Sequence, residues 1–200
     1  MIHPKTELKL ISETIGYGVF ATVDIPEGTI VFVQDQLDIV IKEQQFEALN
    51  SQEQKNVEKY SFIDGKGDRI LSWDFGKFVN HCCDCNTIST GYGFEIAIRD
   101  IKAGEQITDE YGIFNLTEEM DLQCGVDCCR KKITGADFDN LYPQWDEKIK
   151  KSLKKVYKVR QYLMDLVDPN EVDQIDEFLY NPEKYKSVYT LRHKKEAITC

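Results

Sequence analysis

No run of about 18 apolar residues occurs in the 200-residue chain, and a helix needs roughly that many to cross a bilayer. No membrane span is therefore expected. The first residues, Met1 to Ser12, carry Lys5 and Lys9 but no continuous apolar core, so they do not read as a secretory signal. There is no internal repeat, which excludes a stacked array, and no low-complexity tract, which excludes a long unstructured linker. Basic charge is scarce: 25 Lys and Arg stand against 35 Asp and Glu, a net charge of −10. The deficit is local. Residues 1–135 hold 13 basic and 23 acidic side chains, whereas residues 136–200 hold 12 of each. An acidic first part argues against binding a phosphate backbone, so no direct nucleic-acid contact is expected. It suits a protein substrate that offers a basic segment, and it equally suits a plain solubility role.

What is present fits one globular domain with a smaller appendage: 42% apolar residues for a core and 30% charged residues for a surface. Seven cysteines without a signal point to reduced thiols or metal ligands, and hence to an intracellular protein. Secretion by a route that uses no classical signal stays open.

The first half reads as short strands. Val19–Val23 and Thr29–Val33 flank the turn signal Pro26-Glu27-Gly28, and Leu37–Ile41, Ile70–Trp73 and Phe94–Arg99 follow as further β-rich runs. Residues 43–60 are polar, with Phe46, Leu49, Val57 and Tyr60 at helical spacing. After Gly135 the period changes. Leu141, Trp145, Ile149, Leu153, Val156, Leu163 and Leu166 recur near 3.6 residues, which predicts one long amphipathic helix ending before Asp168-Pro169. A second helix is expected over Glu171–Tyr180, stopped by Asn181-Pro182. The lysines from Lys148 to Lys158 read as a solvated helix face, because acids balance them.

Three strings carry chemistry: Gly16-Tyr17-Gly18-Val19-Phe20-Ala21, Asn80-His81-Cys82-Cys83-Asp84-Cys85-Asn86, and Ala103-Gly104-Glu105-Gln106-Ile107-Thr108-Asp109-Glu110-Tyr111-Gly112. The glycines of the first let backbone approach a ligand closely. An Asn side-chain amide offers two donors and an acceptor. In this order and spacing the strings resemble the SET domain, the fold of the protein-lysine methyltransferases. A fourth string, Cys124-Gly125-Val126-Asp127-Cys128-Cys129-Arg130, resembles part of the family's cysteine-rich post-SET segment.

The resemblance implies a mainly β fold with α (α+β), built of short strands with a knot-like crossing and followed by a helical C-terminal extension. The divisions are a SET domain over 1–120, a post-SET-like segment over 121–135 and the extension over 136–200. It implies S-adenosylmethionine-dependent methylation of lysine side chains on a protein, with a histone as one candidate. Gly16, Tyr17 and Gly18 would lie along the cofactor, Asn80 and His81 would hold it, and Tyr111 would be catalytic and also border the cofactor. It further implies a zinc on Cys83, Cys124 and Cys129. Leu122 occupies the family's fourth ligand position, leaving Cys85 or Cys128 to supply the missing thiolate, and the alternative of ordinary core thiols stays open. Cys200 stands apart. Asp109 falls where the family usually has an aromatic; strand alternation would point it toward Tyr111, implying a wider lysine channel and more than one methyl group, while the alternative that the segment twists and leaves Asp109 facing solvent stays open. The alternative function is a catalytically weak SET-fold interaction module that binds a protein partner.

Overall fold

The computed structural model describes residues 1–122 and 124–194; Cys200 and the end of the extension lie outside them. Among the described residues, twelve short strands form small sheets rather than one large one. An N-terminal strand, Thr6–Ser12, pairs antiparallel with Gly16–Ala21 through a tight turn. The sequence expectation placed no strand there, because Leu8 and Leu10 alternate with charged residues over only a few positions and Leu10 stays exposed. Ile30–Val33, Phe94–Ala97 and Thr87–Ser89 make a three-stranded sheet with Phe94–Ala97 in the middle. Every residue of that central strand is buried, as a strand covered on both faces requires. A second three-stranded sheet joins Ile39–Ile41, Arg69–Leu71 and Ser61–Ile63.

The polar stretch 43–60 is helical but broken in two, Glu43–Glu47 and Ser51–Tyr60. Asn50 makes the break. Its Oδ1 accepts from the amides of Gln52 and Glu53 at 3.0 Å, while Glu53 reaches back to the Asn50 amide, also at 3.0 Å. That reciprocal cap starts a new helix.

Beyond Gly135 the expected long helix is shorter than its periodicity suggested. It runs Ala136–Leu153, and two 3₁₀ turns, Val156–Lys158 and Met164–Leu166, replace its continuation. Gln161 gives the reason. Its Nε2 donates to the carbonyls of Gly28 (2.9 Å) and Val156 (2.7 Å), and its Oε1 accepts from the Ile30 amide at 2.9 Å. A side chain that ties the chain to the strand edge outweighs continued helical hydrogen bonding, and Val156 and Leu163 are buried all the same. The last helix, Pro169–Tyr180, starts on the Asp168 carboxylate, which accepts from the Asn170 amide at 2.8 Å, with Pro169 at the first helical position.

Residues from both halves share one hydrophobic cluster. Ile30, Ile88, Phe94 and Ile96 of the strands pack with Phe138, Trp145, Ile149, Leu153 and Phe178 of the helices. A second cluster, centred on Val19, Ala21, Ile101 and Ile107, holds the strands around Gly18 and Asn80.

Candidate functional site

The two-residue strand Asn80–His81 lies parallel to Thr108–Asp109, so two of the three strings run side by side. The first string joins them. Asn80 Nδ2 donates to the Tyr17 carbonyl at 3.0 Å. A Cβ on Gly18 would come within 2.6 Å of Ile11 Cδ1 and 2.8 Å of Gln106 Nε2, side-chain ends that would have to shift, so the segments meet closely at this glycine. Gly16 takes a φ of +86°, a turn conformation that favours glycine. Tyr17 is half exposed, and its ring meets that of Phe78 edge-on.

His81 connects the second string to the third. Its Nδ1 lies 3.0 Å from the Asp109 carbonyl and 3.2 Å from the Tyr111 amide, which donates to it. Burial pushes the His81 pKa down, helped by the Arg130 charge, against the raising effect of Glu110. Arg130 Nη2 binds Glu110 Oε1 at 2.5 Å, and that same oxygen accepts from the Gly112 amide at 2.8 Å. The turn carrying Tyr111 is thereby fixed at its base.

Tyr111 opens a 3₁₀ turn, Tyr111–Ile113, rather than continuing a strand. Its hydroxyl donates to the Val79 carbonyl at 2.6 Å, and its ring sits between His81 and Phe114, with centroids at 5.5 and 5.4 Å. Burial raises its pKa, with Asp109 and Glu95 adding to the shift.

A cavity of about 500 Å³ opens beside Tyr111, a size suited to a small ligand or one long side chain. Its lining includes Val79, Phe62, Phe114, Glu95, Asp109 and Tyr111, but none of Gly16, Tyr17, Gly18, Asn80 and His81. The strings therefore converge on Tyr111 from one side while the cavity reaches it from another. Asp109, expected to share a face with Tyr111 through strand alternation, does line the cavity with it, although the strand ends between them. Glu95 is a cavity residue that the sequence reading missed. The available signal was an acid in the middle of the alternating run Phe94–Arg99, on a strand whose neighbours are all apolar.

Cys83, Cys124 and Cys129 bring their sulfurs within 4.8 Å of one another. Cys83 Sγ also faces the Arg130 amide at 3.3 Å and His81 Nε2 at 3.4 Å. Burial alone would raise the Cys124 thiol pKa; the Cys83 amide and the Cys129 thiol hold it down to about 7. Thiolate character at neutral pH is what a soft metal requires. Cys85 and Cys128 are not brought to this group. Cys85 is buried elsewhere, with its thiol pKa pushed up by that burial, and Cys128 is exposed. Leu122, in the position where the family has a fourth thiol, is itself buried.

Comparison with known proteins matches residues 16–112 to the SET domain. That span begins at the first glycine of the Gly-x-Gly turn and ends one residue after Tyr111. Over that span, just under half of the chain, it is similar to the SET-domain family, and its small sheets with attached helices match the SET fold. Among curated proteins it is 29% identical over 144 residues to "Putative histone-lysine N-methyltransferase ASHH4" of Arabidopsis thaliana, covering 64% of this chain and 39% of that one. It is 28% identical over 134 residues to the "Variant-silencing SET domain-containing protein" of Plasmodium falciparum (isolate 3D7), covering 59% of this chain and 5% of that one. The chain thus spans well under half the length of these relatives. A Plasmodium falciparum crystal structure titled "putative histone methyltransferase" aligns with a TM-score of 0.41 at 20% identity, covering 55% of this chain and 95% of that one. No helix of the described residues is long and apolar enough to cross a membrane.

Proposed function

We propose that the chain is an S-adenosylmethionine-dependent methyltransferase acting on lysine side chains of a protein. The observation that carries this is the meeting of Gly18, Asn80, His81 and Tyr111, from strings far apart in sequence, beside a cavity on whose wall Tyr111 stands. Gly16, Tyr17, Gly18, Asn80 and His81 are the residues that would hold the cofactor, with Tyr111 at its edge. When bound, the cofactor supplies an electrophilic methyl group on a sulfonium. The chain's own task is then to position a neutral amine in line with it, and Tyr111 is the group to orient that amine. The substrate segment is basic, matched to the acidic first 135 residues. A histone is one such substrate, and the name of the Arabidopsis relative supports that choice.

The same reading assigns a zinc to Cys83, Cys124 and Cys129, whose mutual distances and depressed Cys124 pKa fit a thiolate site. The second reading, an interaction module with weak turnover, is favoured by buried Asp109 and by Leu122, both departures from the family's pattern. Labelled methyl transfer from S-adenosylmethionine to a panel of histones and other basic proteins decides between them. Label on lysine is the expected result. Tight cofactor binding with no label on any member would favour the interaction module, and absence of cofactor binding would remove both.

A further inference from the structure

Two acids form part of the cavity wall where lysine-channel chemistry would take place. Asp109 is 1% exposed and Glu95 9% exposed. Asp109 Oδ1 accepts from the Glu110 amide at 2.7 Å, but among the described residues no donor reaches Oδ2. The Glu95 carboxyl lies within hydrogen-bonding reach of the Asp109 carboxyl. Two acceptors cannot satisfy each other, so such a pair is stable only when it shares a proton or receives a cation. The cavity-lining cations Lys59, Arg69 and Lys77, and Arg130 beyond them, have other partners. Arg130 is held by Glu110 at 2.5 Å, while Lys59, Arg69 and Lys77 lie over the rings of Tyr60, Phe46 and Phe78.

From this geometry we propose that the Glu95–Asp109 carboxyl pair receives the alkylammonium group of the substrate and takes its proton. The proposal rests on the methyltransferase reading for its substrate, but not for the cation site itself. In the resting state the pair carries one proton and one negative charge. An arriving ammonium is attracted to it and gives up a proton. One N–H bond breaks, one O–H bond forms on the free carboxylate, and the nitrogen keeps the electron pair it needs as a nucleophile. The pair then holds two protons and returns one to solvent before the next turnover. Burial raises the pKa of both carboxyls, that of Glu95 to about 7, so the pair changes charge near neutrality, where a proton acceptor works best. The charged and titratable groups acting on it are Tyr111, Glu110, the Cys85 thiol and the Met1 amine; the His81 ring meets only the Asp109 backbone carbonyl, and Arg130 is held on Glu110.

Two measurements test this. In the first, kcat/KM on a lysine peptide is followed against pH for wild type, Asp109→Asn and Glu95→Gln. A working acceptor gives wild type a level plateau from above the pair's pKa up to the free lysine value of about 10.4. The variants depend on amine that is already neutral, so their rates should climb about tenfold per pH unit and fall short of wild type by about 100-fold near pH 7.5. A variant that keeps the wild-type plateau and rate overturns the proposal. The second measurement needs no turnover, nor a variant that folds. n-Butylammonium chloride added to wild-type protein with ¹³C-labelled carboxyls should move the Glu95 and Asp109 resonances. If neither moves, the cation site is overturned whatever the activity. If they move but no peptide is ever methylated, the cation site stands and the methyltransferase reading falls.

Discussion

Tyr111 places its hydroxyl 2.6 Å from the Val79 carbonyl, one residue before Asn80, so the phenol is oriented by the very segment it lies against. Removing that hydroxyl should leave the ring packed between His81 and Phe114 and the cofactor side intact. Tyr111→Phe is therefore expected to lower the methyl-transfer rate by about two to three powers of ten, the usual cost of losing one positioned donor. Cofactor affinity by calorimetry should stay unchanged. A variant turning over at wild-type speed would remove Tyr111 from the chemistry. At this scale much of the candidate site was legible, because Gly18, Asn80, His81 and Tyr111 sit in short strings whose residue types are unusual together. Glu95 was not legible. Its string is an ordinary strand, and only the fold shows that this acid faces Asp109 inside a cavity rather than solvent.

The cysteine loop is an element with little packing of its own. Cys124 and Cys129 lie between two-residue strands, Met120–Asp121 and Lys132–Ile133, and Cys83 comes from the turn after His81. Three sulfurs within 4.8 Å of one another form the evident tie between that loop and the strand carrying His81. About one zinc per chain is expected in protein purified without chelator, as structural thiolate sites hold metal tightly. Cys129→Ala should release it and raise hydrogen exchange across residues 120–135. A metal-free protein that is still active and equally protected would mark these as ordinary thiols. Elements were also where sequence periodicity misled. The apolar spacing continues smoothly from Leu141 to Leu166, yet the helix stops at Leu153. Periodicity records which residues are buried; it does not record that Gln161 bonds Gly28 and Ile30, because that tie spans more than 130 positions of sequence.

Considered whole, the molecule joins its acidic strand half to its neutral helical half through buried contacts. Glu27 receives Ser152 Oγ at 3.1 Å and Lys155 Nζ at 2.7 Å, and the Tyr92 hydroxyl oxygen accepts from the Lys186 amide at 2.8 Å. The sequence signalled a change of period at Gly135 but not this shared interior, since no local pattern encodes which distant side chain meets a buried acid. Burial of charge also sets how stability should vary with pH. His3 has its pKa lowered from 6.5 to about 4, chiefly by burial. Between those values the unfolded chain binds a proton that the folded one refuses, so this term raises stability as pH rises. Glu95 and Asp109 act in the opposite sense. Glu95 is raised from 4.5 to about 7 and Asp109 well above 3.8, so the folded state keeps protons the unfolded chain has lost, and stability falls as pH rises across that window. His81, lowered by burial, and Asp38, raised by burial, act in opposite senses to each other. The Glu95 and His3 terms oppose each other between about pH 4.5 and 6.5, and the raised Asp109 carboxyl tips the balance, so wild-type stability is expected to decline across the window those two shifts share. Removing both carboxyls by the double substitution Glu95→Gln, Asp109→Asn leaves the His3 term and should reverse the slope. The change is up to about 1.4 kcal/mol per pH unit for each carboxyl removed. Urea midpoints of both proteins at the two ends of that window measure it. Parallel curves would mean that the pair carries no extra proton in the folded state, so that its charge is met by a bound cation or by water instead.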